Sequence, residues 1–263
     1  MNGPEPVGIF DSGVGGLTVP REIRERLPDE SLLYLADTAW VPYGGRSLEV
    51  IRERTLAVGK FLEREGAKVL VVACNTASGA GLEALREKLN IAVVGVEPAI
   101  KPAAAATRNG RIGVLATEAM LRAERFGRLV DRYAVQIQVV AQPCPGLVEL
   151  VEAGETDGPS VRQQLQALLE PLQRAQVDTV VLGCTHYPLL RRTLSELLGP
   201  DVTLLDSGAA VALQTERVLR QTNKLAPDGQ GSFRILTTGD PKRVSGTVAR
   251  LWGEPAQVGH AAV

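Results

Sequence analysis

The sequence predicts an α/β protein of two similar lobes, each a mainly parallel sheet flanked by helices, with a pseudo-twofold axis relating the lobes. Short apolar runs alternate with amphipathic stretches along the chain. The runs are continuous rather than alternating in polarity, which is typical of parallel strands covered on both faces. Elements of the first half also recur in the second half, and this favours two related lobes.

The elements follow one another in a regular βα order. The predicted strands are VGIF, SLLYLA, KVLVVA and IAVVGV in the first half and RIGVLA, VQIQVVA, DTVVLG and DVTLLD in the second. Helical periodicity marks LTVPREIRERL, LEVIRERTLAVGKFLERE and VRQQLQALLEPLQRA. We expect the first lobe to comprise residues 1–97 and 208–263 and the second lobe residues 98–207. The final GHAAV is expected to be frayed.

Composition excludes several classes of protein. The chain has 263 residues, 44% of them hydrophobic and 22% charged, with a formal net charge of -1. This balance gives no indication of a nucleic-acid or membrane-surface partner. No apolar run is long enough to cross a bilayer, and the N-terminus lacks a secretory signal. The expected location is the cytoplasm.

The three cysteines are too far apart for a disulfide framework or a zinc site, so we expect reduced thiols and no metal. Two of them, Cys74 in VVACNTAS and Cys184 in VVLGCTHYPLL, lie 110 positions apart, each directly after an apolar run or one residue beyond it. Ligands of parallel α/β sheets bind beyond the carboxyl ends of the strands, so both thiols would face a ligand. A helix N-terminus there would lower the pKa of each thiol. Cys144 is expected to be structural, and His260 to lie on the surface.

Two opposed thiols suit the inversion of a stereocentre. If the lobes face each other, Cys74 and Cys184 approach one central cleft from opposite sides, one as base and the other as acid. His186 lies two residues beyond Cys184, close enough to exchange protons within the site. Donors that could stabilise a carbanion are Ser12, Asn75, Thr76 and Thr185. No lysine falls in these motifs, so the residues favour a cofactor-free epimerase or racemase.

Two other motifs fail on spacing. In DSGVGG, Gly13 and Gly15 fit the start of a dinucleotide fingerprint, but the third glycine position is Thr18 and the neighbouring Asp11 would repel a pyrophosphate. A cysteine phosphatase loop needs five residues between cysteine and arginine. Six residues separate Cys184 from Arg191.

Seven motifs together resemble the glutamate racemase family: FDSGVGGLTV, YLADTAWVPYGGRS, VVACNTAS, GVEPAI, CPGLVELVEAG, LGCTHYPLL and LLDSGAAVA. The resemblance runs from about Gly8 to about Gln214. It implies an enzyme that interconverts L- and D-glutamate without a cofactor and supplies D-glutamate for bacterial peptidoglycan. It also implies a homodimer with the active site between the two lobes.

The resemblance also implies roles for individual residues. Cys74 would act on D-glutamate with help from Asp11, and Cys184 on L-glutamate with help from His186. Glu152 would be a further helper, and Asp37 falls on an acid near the site. The implied substrate contacts are Asp11, Ser12, Pro42, Tyr43, Gly44, Cys74, Asn75, Thr76, Thr117, Cys184, Thr185 and His186.

Two positions depart from the family pattern. Trp40 stands where an arginine is common, and Met120 replaces a threonine often found three residues after Thr117. Some relatives carry a longer N-terminus and need a cell-wall precursor as activator. Nine residues precede Phe10 here, so no such requirement is expected.

Three alternatives stay open from the sequence. A sister racemase would act on aspartate or another acidic compound. A Cys-His hydrolase would use Cys184 alone as nucleophile and would tolerate Cys74→Ser. A non-enzymatic binder would close its lobes on a small ligand and leave both thiols without a chemical role.

Overall fold

The computed structural model describes residues 5–227, 229 and 231–263. Strands and helices alternate through the first part of the chain: β1 (Val7–Asp11), α1 (Thr18–Arg26), β2 (Leu32–Ala36), α2 (Leu48–Arg64), β3 (Val69–Val72), α3 (Asn75–Lys88) and β4 (Ala92–Gly95). The second part continues the pattern: α4 (Ile100–Ala106), β5 (Arg111–Ala116), α5 (Glu118–Arg122), α6 (Glu124–Tyr133), β6 (Gln138–Pro143), α7 (Leu147–Glu152), α8 (Pro159–Arg174), β7 (Thr179–Leu182), α9 (Arg191–Leu198) and β8 (Thr203–Leu205). The last part comprises α10 (Gly208–Gln221), β9 (Phe233–Thr237), α11 (Pro241–Trp252) and β10 (Val258–His260).

The strands form two separate parallel sheets. One has six strands in the order β10-β9-β2-β1-β3-β4, and the other has four in the order β6-β5-β7-β8. The order β2-β1-β3-β4 in the larger sheet matches β6-β5-β7-β8 in the smaller one. This confirms the predicted fold of two similar α/β lobes. The ends of β3 and β7, which precede Cys74 and Cys184, occupy equivalent places.

Helices cover both faces of the six-stranded sheet. On one face, Ile23 of α1, Leu219 of α10 and Val248 of α11 pack in one apolar cluster with the sheet. On the other face, α2 and α3 supply residues such as Leu62 and Leu82. Burying each of these side chains contributes about 1.5–3 kcal/mol. The carboxyl ends of the strands are thereby held in fixed positions. No helix among the described residues is long and apolar enough to span a membrane.

The C-terminal segment extends the larger sheet, because β9 pairs with β2 and β10 pairs with β9. The expectation of a frayed GHAAV is wrong. The N–H of Ala261 donates to the carbonyl of Thr237 over 2.8 Å, and Arg54 donates to the main-chain oxygen of Val263 over 3.0 Å. These bonds and the burial of Ala261 hold the tail. His260 is exposed, as predicted. The lobe boundaries at residues 97/98 and 207/208 stay a prediction.

Candidate active site

Both predicted thiols lie at the carboxyl ends of central strands. Cys74 follows β3 with an extended backbone and forms the N-cap of α3, where its sulfur accepts the N–H of Ala77 over 3.4 Å. Cys184 follows β7 and precedes a 3-10 turn at Tyr187–Leu190. The two side chains are buried, with 5% and 7% of their surface exposed. They are close enough that negative charge on Cys184 raises the pKa of Cys74.

The surroundings of Cys74 disfavour its thiolate. Burial raises the pKa of Cys74 well above its usual range, and the charge of Asp11 raises it further. The bond from Ala77 acts in the opposite direction but is the smaller effect. The prediction that the pKa of this thiol falls below its usual value is therefore wrong, because desolvation exceeds the effect of the helix amide. The thiol of Cys74 donates to the hydroxyl of Ser12, with Sγ and Oγ 3.7 Å apart.

Cys184 is linked to a histidine and a carboxylate. Its sulfur lies 3.5 Å from Nδ1 of His186, whose Nε2 lies 2.6 Å from Oε1 of Glu152. The N–H of Val14 donates to the same Oε1 over 2.7 Å. Burial lowers the pKa of His186, but interactions with Cys184 and Glu152 outweigh it and raise this pKa well above the usual value. The imidazolium form is therefore favoured between the two partners.

Asp11, at the end of β1, joins the two lobes. It is fully buried, and its Oδ2 accepts the hydroxyl of Thr185 over 3.0 Å. Burial raises the pKa of Asp11, although the positive charge of His186 opposes this. Its Oδ1 and the Oδ1 of Asn75 are buried and have no hydrogen-bond donor among the residues that the structure describes. Both oxygens are thus buried acceptors without a donor in the described part of the chain.

The glycines of DSGVGG make room for these polar groups. A methyl group at Gly13 would overlap the carboxylate of Glu152, and one at Gly15 would overlap the ring of His186. A methyl group at Gly16 would overlap Asp11. The glycine-rich turn thus serves close packing of site residues.

The predicted contacts Pro42, Tyr43 and Gly44 lie in a loop that reaches the second lobe. The carbonyl of Gly44 accepts the N–H of Ala119 over 3.3 Å, and the hydroxyls of Thr76 and Thr117 lie 2.8 Å apart. Thr117 also caps α5 by accepting the N–H of Met120. A cavity opens beside this contact, lined by Pro42, Gly44, Gly45, Thr117, Glu118, Cys144, Pro145, Gly146, Val148 and Glu149. The cavity therefore lies between this loop and the second lobe, and its lining includes neither Cys74 nor Cys184.

The remaining residues of interest are placed as follows. Cys144 is buried and donates to the carbonyl of Gln142 over 3.4 Å, and burial raises its pKa to about 12. Its structural role stays a prediction. Met120 is buried in the core of the second lobe. Sequence reasoning missed Arg54, which binds Asp37 from within the ordinary amphipathic pattern of α2. In the described part of the chain, no group of three or more His, Cys, Asp or Glu side chains is placed to hold a metal ion.

Comparisons with known proteins agree with this geometry. Residues 18–215 match the family model described as Asp/Glu/Hydantoin racemase. The glutamate racemase of Pseudomonas aeruginosa (strain UCBPP-PA14) is 53% identical over 96% of this chain and 96% of that protein. A glutamate racemase isoform of Bacillus anthracis superposes with a TM-score of 0.89 and 36% identity, covering 98% of each chain. The Escherichia coli glutamate racemase, solved with L-glutamate and the activator UDP-MurNAc-Ala, gives a TM-score of 0.87 and 38% identity over 99% of each chain. With family model, sequence and fold in agreement over most of its length, the chain belongs to the Asp/Glu/Hydantoin racemase family and, within it, to the glutamate racemases.

Proposed function

We propose that this protein interconverts L- and D-glutamate by a two-base proton transfer at the α-carbon, without a cofactor. The observation that carries the proposal is the pair of buried thiols at equivalent strand ends, each with different polar partners. Cys184 contacts His186. Cys74 contacts Ser12, and the charge of Asp11 raises its pKa.

In the L-to-D direction, Cys184 acts as a thiolate and removes the α-proton, leaving the electron pair of the C–H bond on the α-carbon. Cys74, a thiol in the resting protein, then donates its proton to the opposite face and becomes the thiolate. In the D-to-L direction the two roles are exchanged. After an L-to-D turnover, Cys184 carries a proton and Cys74 is the thiolate. Proton exchange with water restores the resting arrangement before the next turnover in the same direction.

His186, Glu152 and Asp11 influence whether each thiol is protonated. A positively charged His186, 3.5 Å from the sulfur, stabilises negative charge on Cys184, and Glu152 holds the ring in place. Asp11 assists Cys74 in the D-to-L direction, in which Cys74 acts as the base. Burial raises the pKa of Asp11, so its carboxylate accepts a proton more readily than that of an exposed aspartate.

The site also offers partners for an amino acid. The buried Oδ1 atoms of Asp11 and Asn75 can accept from an ammonium group, which has three donors. The hydroxyl of Ser12 can donate to the α-carboxylate as it gains charge in the carbanion, and so can that of Thr76 when Thr117 is the donor in their contact. Because Cys74 and Cys184 are only 5% and 7% exposed, each such bond beside them has a larger effect than it would in bulk water.

The test of substrate and reaction is a comparison of initial rates. Purified protein is incubated with L- and D-glutamate and with L- and D-aspartate, and optical rotation is followed by circular dichroism. We expect rapid loss of rotation with both glutamate enantiomers and slow or no change with aspartate. Faster turnover of aspartate would contradict the substrate assignment. An acyl adduct on Cys184, seen by intact-mass spectrometry, would favour a hydrolase instead.

We further propose that the D-glutamate supplies bacterial peptidoglycan and that the enzyme is a cytoplasmic homodimer. Expression in a bacterial strain that requires D-glutamate should restore growth without added D-glutamate, whereas a Cys74→Ser variant should not. Light scattering on purified protein should give twice the mass of one chain. Growth restored equally by the inactive variant, or a monomer at micromolar concentration, would contradict these proposals.

A further inference from the structure

Asp37 is the centre of a buried network behind the loop Pro42–Gly44. Its side chain is fully buried, and its two oxygens accept four hydrogen bonds. Arg54 donates through Nε to Oδ2 over 2.8 Å and through Nη2 to Oδ1 over 2.7 Å. The hydroxyl of Tyr43 donates to Oδ2 over 2.6 Å, and that of Thr238 to Oδ1 over 2.7 Å. The carboxylate is therefore fully paired despite its burial.

The guanidinium of Arg54 is held on several sides. Its third nitrogen, Nη1, donates to the main-chain oxygen of Val263 over 3.0 Å. Its carbon Cζ lies 4.9 Å from the centroid of the Trp40 ring, and Cζ of Arg46 lies 5.1 Å from the same centroid. Arg46 also donates to the carbonyl of Trp40 over 3.0 Å. Trp40 thus contacts both arginines through the face of its ring.

The loop is fixed on two sides. From the first lobe, Asp37 holds the hydroxyl of Tyr43, whose side chain is 2% exposed. From the second lobe, the N–H of Ala119 donates to the carbonyl of Gly44, and a methyl group at Gly44 would lie 2.9 Å from Cβ of Thr117. A small change in the position of Tyr43 would therefore be transmitted to the contact between the lobes.

We propose that Arg54 is a positioning residue for substrate binding. It acts through Asp37 and the hydroxyl of Tyr43 to fix the loop Pro42–Gly44, and Trp40 holds its guanidinium in the required orientation. This inference rests on the proposed function and on the substrate contact that the family resemblance implies for Pro42, Tyr43 and Gly44. It predicts that loss of the network weakens glutamate binding more than it slows proton transfer at the two thiols, since neither thiol contacts Arg54.

Two conservative variants test the proposal. Arg54→Lys keeps the charge but loses the two-pronged geometry, and Tyr43→Phe removes only the hydroxyl. We expect each to raise KM for both enantiomers about tenfold, the size typical of a lost hydrogen bond to a charged group, with a smaller change in kcat. The double variant should be little worse than either single variant, because the residues act as one unit. Arg52→Lys, on the exposed side of the same helix, is the matched control and should leave KM unchanged.

The alternatives give different results. If the network has a purely structural role, Arg54→Lys and Tyr43→Phe would lower the thermal midpoint and the fraction of active enzyme. kcat would then fall while KM stays unchanged, and this outcome would overturn the proposal. So would wild-type KM values in both variants. Calorimetric titration with D-glutamate supplies a readout that does not need turnover. If the wild type binds D-glutamate but fails to racemise it, the proposed reaction is wrong, and the Kd of Arg54→Lys still decides the positioning role. If the wild type does not bind glutamate, both proposals fall.

Discussion

Nε2 of His186 lies 2.6 Å from Oε1 of Glu152, and the opposite ring nitrogen lies 3.5 Å from the sulfur of Cys184. The imidazole therefore connects a carboxylate to one of the two thiols. Cys74 has a different environment, with Asp11 and Ser12 in place of a histidine. The two halves of the site are equivalent in topology but not in chemistry, so changes on each side should affect different proton transfers.

Glu152→Gln should slow the transfer at Cys184 selectively. Because the enantiomers have equal free energies, kcat/KM must fall equally in both directions, by about tenfold for a lost charge-assisted bond. The isotope effects should nevertheless differ. With α-deuterated L-glutamate the effect should increase, because deuterium now moves in the slower step, and with α-deuterated D-glutamate it should decrease. The measurement is the rate ratio of protonated to deuterated substrate in each direction.

Glu155→Gln, an exposed carboxylate just beyond α7, is the control and should leave both isotope effects unchanged. Isotope effects that change by the same factor in both directions for Glu152→Gln would show that Glu152 does not act on the Cys184 side.

Gly13→Ala and Gly15→Ala should each reduce kcat/KM by at least about tenfold, because the new methyl group displaces Glu152 or His186 from the positions that support Cys184. Far-UV circular dichroism should stay that of the wild type. Gly127→Ala is the matched control, since a methyl group there meets no atom within 4 Å and the residue lies in a helix, where alanine is favoured. Wild-type activity in Gly13→Ala and Gly15→Ala would contradict this prediction, because it would show that Glu152 and His186 can move without loss of activity.

Asp11→Asn should be more stable than the wild type at pH 8 although less active. Burial raises the native pKa of Asp11. The carboxyl therefore favours the folded state below its ordinary pKa of about 3.9, and this contribution is lost as pH rises through the raised native value. Above that value an ionised, desolvated carboxylate destabilises the fold, and the amide does not.

The thermal midpoint of the variant minus that of the wild type should thus be positive at pH 8 and shrink as the pH falls through the raised native pKa of Asp11 towards its ordinary value of about 3.9. Asp131→Asn, on the exposed surface of α6, should show no such trend. A midpoint difference that grows on acidification would contradict the sign of the Asp11 effect.

The sequence allowed the lobes and the two thiols to be predicted, because both follow from local patterns. Continuous apolar runs mark buried parallel strands, and the repeat places Cys74 and Cys184 after equivalent strands, β3 and β7. Strands β9 and β10 were not predicted. They follow the point at which the chain returns from the second lobe to the first. Strand β10 also has only three residues, too few for a period in hydrophobicity to be detected.

The contacts behind the site could not be predicted from local patterns. Glu152 and its donor Val14 are 138 positions apart, and Arg54 and Val263 are 209 apart. Nothing in an amphipathic helix distinguishes an arginine that pairs with a buried carboxylate from one in solvent. The pKa of Cys74 was predicted in the wrong direction for a related reason. The N-cap position was evident from the sequence, whereas the desolvation that outweighs it depends on the closed packing of both lobes.

The most direct test of the two-base account is racemisation of L-glutamate in D2O, stopped early. NMR would measure α-deuterium separately in the D-glutamate formed and the L-glutamate recovered. The two-base mechanism predicts deuterium at the α-carbon of the product, little or none in the recovered substrate, and a loss of racemisation by roughly 10²–10⁴-fold for Cys74→Ser and for Cys184→Ser. Product that retains the original proton, or racemisation that survives either substitution, would contradict it.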